Sequence, residues 1–136
     1  METTKYAFKT TIKLSYDEAI QKVIELLKNE GFGVLTEIDV KETMKKKLDV
    51  DFRRYKILGA CNPPNAFKAL KSETDIGLML PCNVIVYESD SGATVVAAID
   101  PVASMMAAEN KELEAIAQEV REKLRKVIES IENYRG

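Results

Sequence analysis

The sequence predicts a single α+β domain in which a curved, mostly antiparallel or mixed sheet packs against a long C-terminal helix. Three observations carry this. Helical and strand periodicities interleave in the order β-α-β-α-β-α-β-β-α. The fourth and fifth strands are joined by Ser89-Asp90-Ser91-Gly92, a hairpin signal that forces an antiparallel pair. An apolar stripe runs through the last quarter of the chain at helical spacing. A length of 136 residues fits one domain, 1–136.

Residues 5–13 alternate, with Tyr6, Phe8, Thr10 and Ile12 on one side, as a half-buried strand does. Ser15 and Glu18 have capping-box spacing, and Leu14 can staple onto Ala19. The helix that follows buries Ala19, Ile20, Val23, Ile24 and Leu27, and Gly31 is placed to stop it in the left-handed conformation. Gly33 to Ile38 reads as a second strand. Asp39 with Glu42 repeats the cap, ahead of a short helix with Val40, Met44 and Leu48 in a row. Arg54 to Cys61 is a third strand with Tyr55, Ile57, Gly59 and Cys61 on one face.

Asn62-Pro63-Pro64 has the form of an N-cap followed by proline at the first helical position, opening a helix through Phe67 and Leu70. Asp75 to Leu80 is apolar but irregular, and Pro81 ends it. Asn83 to Tyr87 and Ala93 to Ile99 form the hairpin, and Asp100-Pro101 terminates it. The final helix, from about Ala108 to Tyr134, carries Leu113, Ala117, Val120, Leu124, Val127, Ile131 and Tyr134 at heptad spacing. Ile116 and Ile128 widen the stripe beyond a coiled-coil seam, which favours a helix lying on the sheet. Glu119 with Lys123 and Glu122 with Lys126 are outer-face pairs in the favourable order.

Composition removes several function classes. The chain has no His, which excludes Ser-His-Asp and Cys-His catalysis and His-based zinc sites. A net charge of −2 gives no field for nucleic acid. Lys45-Lys46-Lys47 with Arg53-Arg54 is the basic cluster, but it lacks the interleaved aromatics of a single-strand binder and reads as solvated surface. No apolar run is long enough for a membrane span, and two Cys without a signal peptide read as cytoplasmic thiols. Gly31-Phe32-Gly33 follows a helix instead of opening one, so it lacks the geometry of a phosphate loop.

Gly59-Ala60-Cys61-Asn62-Pro63-Pro64 and Leu80-Pro81-Cys82-Asn83 are the least ordinary stretches. Cys61 ends a strand and precedes a helix N-terminus, where the helix dipole lowers a thiol pKa and attracts an anion. Three readings stand open: both thiols are small core hydrophobes, they are a reactive redox pair, or they hold a soft metal with help from Met79, Met105 and Met106. The expected site is a small-ligand spot of Cys61, Asn62, Cys82 and Asn83 beside the apolar loop from Ile76 to Leu80, with Met79 of that loop as a further ligand-binding residue. No catalytic residue and no cofactor is assigned. If a metal binds, Cys61 and Cys82 are the expected ligands.

Four segments together resemble one family: residues 31–40, 55–64, 77–84 and 98–101. Their order and spacing are similar to the bacterial and archaeal family called domain of unknown function 302. The resemblance implies a small α+β fold with a curved sheet and long last helix, a homodimer, and no established activity. The functional expectation is a ligand-binding or interaction module, with thiol-dependent redox or soft-metal binding as the alternative.

Overall fold

The computed structural model describes residues 1–134. Six strands form one sheet: β1 (Glu2–Thr3), β2 (Ala7–Ile12), β3 (Gly33–Asp39), β4 (Tyr55–Cys61), β5 (Cys82–Glu88) and β6 (Thr94–Ile99). Their order across the sheet is β1-β2-β6-β5-β4-β3, and every neighbouring pair is antiparallel. The sheet is open and uncurled, so the expected curvature is corrected. Five helices accompany it: α1 (Tyr16–Asn29), α2 (Val40–Leu48), α3 (Pro63–Ser72), α4 (Pro101–Met105) and α5 (Lys111–Asn133). 3-10 segments cover Thr74–Met79 and Met106–Ala108.

Local chemistry sets most element ends. The Glu18 amide donates to Ser15 Oγ at the start of α1, and the Glu42 amide to Asp39 Oδ1 at the start of α2. At the end of α1 the Phe32 amide donates to the Leu27 carbonyl and the Gly31 amide to the Lys28 carbonyl. This double closure needs a left-handed residue, which Gly31 supplies at φ 85°. Gly92, at φ 83°, closes the β5–β6 hairpin with its amide on the Ser89 carbonyl.

The register gives the sheet two unlike faces. Phe8, Ala98, Val84 and Leu58 are successive ladder partners, and all four are buried. They share a core with Ala19, Ile20, Val23 and Leu27 of α1 and with Val120, Leu124, Val127, Ile128 and Ile131 of α5. The stripe on α5 is therefore buried against the sheet, as its width indicates. A second, smaller cluster joins Ala69 of α3, Ile76, Met105, and Leu113 and Ala117 of α5. On the opposite face the partners Ile38, Ile57, Ile85, Ala97 and Lys9 form one row, and Tyr55, Tyr87, Val95 and Thr11 the next. The Tyr55 and Tyr87 rings stack with centroids 5.3 Å apart.

Several expectations are corrected. Tyr6 lies before β2 and is exposed, because the strand starts at Ala7. Asp100-Pro101 does more than end a strand. Asp100 Oδ1 accepts from the Val102 amide at 3.0 Å and caps α4, with proline at its first position. The last helix accordingly starts at Lys111, where Asn110 Oδ1 accepts from the Glu112 and Leu113 amides. Glu122 pairs with Arg121 and Arg125, while Lys126 reaches Glu30.

Leu124 is fully buried between α5 and the sheet. Leu124→Ala is expected to lower unfolding stability by about 2–5 kcal/mol, read as a reduced urea midpoint.

Candidate functional site

Where the ends of β4 and β5 meet α3 and α5, the two apolar clusters do not close on one another. A cavity of ≈ 300 Å³ is left between them. Its walls come from Phe32 and Leu35 at the start of β3, Ala60 and Cys61 on β4, and Cys82 on β5. Ala66, Ala69 and Leu70 of α3, Gly77, Leu80 and Pro81 in and after the 3-10 segment, Met105 of α4, and Ile116 and Val120 of α5 complete the apolar part. Asn62 and Asn65 are the amide side chains on the wall. A wider groove along α1 of ≈ 740 Å³ is bordered by Asp17, Glu18, Lys22, Glu25 and Lys28, which is ordinary solvated surface.

Asn62 builds the polar corner. Its Oδ1 accepts from the Asn65 amide at 3.3 Å and from Asn65 Nδ2 at 3.1 Å. Its Nδ2 donates to the Glu30 carbonyl at 3.4 Å, and its own carbonyl accepts from the Ala66 amide. One side chain thus caps α3 and ties it to the end of α1. Gly31 must come close there, since a Cβ on it would sit 3.1 Å from Asn62 Nδ2.

The expected site residues divide. Cys61, Asn62 and Cys82 border the cavity. Asn83 does not: it is exposed and pairs with Gly59, on the sheet face away from Cys82. Met79 ends the 3-10 turn and is exposed outside the cavity wall. Asn65, Ala66 and Ala69 were not anticipated. Asn65 stands three residues after the cap, where its amide must meet the cap side chain, and that spacing was a usable signal.

The two cysteines are free thiols and are not paired. Cys82 has Ala60 as its ladder partner, and Cys61 has Gly33. The expected lowering of the Cys61 pKa is reversed, because burial pushes it up. Burial pushes Cys82 up to about 11, with a further contribution from the adjacent Cys61. The helix start offers no compensation. Pro63 and Pro64 have no N–H, and the next two amides are taken by Asn62. Among the described residues no group of three or more His, Cys, Asp or Glu could hold a metal ion. Among the described residues no helix is long and apolar enough to cross a membrane.

The class is an open antiparallel α+β sheet with one helix-covered face and an apolar cavity at the sheet end. Residues 8–131 match the family described as domain of unknown function DUF302, and the chain belongs to that family. It is similar to a solved structure, the uncharacterised conserved protein DUF302 from Bacillus stearothermophilus. That likeness has 28% identity, a TM-score of 0.87, and coverage of 94% of this chain and 99% of the other. No curated protein matches this chain.

The cysteine shift has a sign in pH. Below about 9 the Cys82 thiol is protonated in both folded and unfolded chains. Between about 9 and 11 the unfolded chain releases that proton while the folded one keeps it, so stability falls with rising pH. Tyr16, raised to about 12 by burial and then by Asp39 and Asp17, adds a loss from about 10 upward. Chemical denaturation at pH 8 and pH 10.5 is expected to show a smaller alkaline loss in Cys82→Ala than in the parent chain. Alkylation of both thiols at neutral pH is expected to be slower than for a free cysteine, with Cys82 the slower.

Proposed function

We propose that this protein is a binding module for a small apolar molecule held in the cavity between β4, β5, α3 and α5. The observation that carries the reading is the wall itself. It is carbon-rich, with the few polar groups gathered at one corner, as in small-molecule sites generally. A volume of ≈ 300 Å³ is at the lower end of ligand pockets, which span roughly 300–1,000 Å³. The thiol-dependent alternative has less support, since both pKa values move away from the thiolate.

Ethylbenzene near its solubility limit is expected to raise the thermal midpoint by several degrees, because a ligand that binds only the folded chain stabilises it. Ala66→Phe, which fills the cavity from α3, is expected to abolish that rise. A rise that persists in Ala66→Phe, or none in the parent chain, removes the reading.

A second reading concerns the helix-free face of the sheet and takes a second copy of the chain as its partner. Antiparallel sheets ordinarily turn polar side chains to solvent. Here Tyr55, Ile57, Ile85, Tyr87, Val95 and Ala97 are adjacent on that face. Val95 and Ala97 are already buried there, and Tyr55, Ile57, Ile85 and Tyr87 are half-buried. Face-to-face packing of two sheets about a two-fold axis would cover the half-buried four. Light scattering at micromolar concentration is expected to give twice the chain mass, and Ile85→Lys the single mass. A monomeric parent chain sinks this reading and leaves the cavity untouched.

A further inference from the structure

We infer that the cavity takes an uncharged molecule of about a dozen heavy atoms carrying one hydrogen-bond donor, received by Asn65 Oδ1. This rests on the cavity being a ligand site and goes on to name the ligand class.

Charge is decided by the wall. No Lys, Arg, Asp or Glu borders the cavity. Both thiols hold their protons at neutral pH, since burial raises them. The N-terminus of α3 has no spare donor for an anion. Its first two residues are prolines, and the Asn65 and Ala66 amides are already bonded to Asn62. An ion placed there would lose its hydration and gain no counter-charge. Size follows from volume. An engineered apolar cavity of about 150 Å³ holds benzene, so ≈ 300 Å³ accommodates about twice as many atoms.

The donor follows from the hydrogen-bond chain. A backbone N–H can only donate, so the Asn62 atom that meets the Asn65 amide is oxygen. The Asn65 atom that meets the same oxygen must then be its nitrogen. That leaves Oδ1 of Asn65 as an acceptor with no partner among the described residues. Asn65 is only 5% exposed. Asn65 borders both the cavity and a polar surface groove with Glu30, Lys68, Glu119 and Lys123. No fully buried side-chain N or O lacks a partner among the described residues, so Oδ1 is not sealed off, and the inferred donor meets it from the cavity side. A hydrocarbon would leave this acceptor dry, whereas a hydroxyl or ring N–H would satisfy it.

Indole, N-methylindole and indole carboxylate separate these features, because they share a ring system and differ in donor and charge. The chain has no Trp, so indole emission reports the probe against a tyrosine background. Fluorescence titration is expected to show indole binding about fivefold or more tighter than N-methylindole, the worth of one net hydrogen bond. The carboxylate is expected to bind at least tenfold more weakly than indole. Asn65→Leu is expected to equalise indole and N-methylindole. Should that variant fail to fold, the ratio of the two neutral probes on the parent chain decides the matter. Equal binding of those two, or preference for the carboxylate, overturns the inference while leaving an apolar site standing. No binding of any probe overturns both.

Discussion

The side-chain amide of Asn62 is the contact on which the site depends. It caps α3, reaches the Glu30 carbonyl at the end of α1, and sits at the end of β4. The end of α1 is thereby fixed to the β4–α3 junction, 32 residues further along the chain. The closure of α1 at Gly31 and the approach of Gly31 to that amide belong to the same arrangement. A bulkier residue at position 31 would meet both a left-handed backbone and the Asn62 nitrogen.

The same corner explains why the cysteines are quiet. A helix N-terminus normally concentrates unpaired N–H groups and favours negative charge. Here two prolines remove donors and one asparagine absorbs the rest. What remains around Cys61 and Cys82 is hydrocarbon, and hydrocarbon disfavours the thiolate.

Much of this was legible in the sequence where the causes are local. Ser15, Asp39 and Asn62 could be read as caps because each satisfies amides two or three residues away. The β5–β6 hairpin was readable from its turn, and the α5 stripe from its width. Asp100-Pro101 ends β6 as its residues indicate, and the same dipeptide also opens α4; Arg121 of α5, whose Nε donates to Asp100 Oδ2, is a contact that only the docking of α5 reveals. Grouping Asn83 with Cys82 ignored the two-residue period of a strand, which sends neighbours to opposite faces. Asn65 and the alanines of α3 could not be assigned to a wall before the docking of α3 on α5 was known. The apolar second face of the sheet was visible as unbroken apolar runs in β5 and β6, but its meaning needed the strand order.

The separation of the interior into two clusters has a mechanical consequence. α5 belongs to both, through Val120 to Ile131 in the larger and through Leu113 and Ala117 in the smaller. It acts as a common beam, while α3 and the following 3-10 turn are held to it chiefly by the smaller cluster. Such an arrangement gives two units of unequal cohesion on one support, and the weaker can loosen while the stronger keeps its shape. The longest helix meets their junction at Ile116 and Val120, where its share in the smaller cluster passes into its share in the larger.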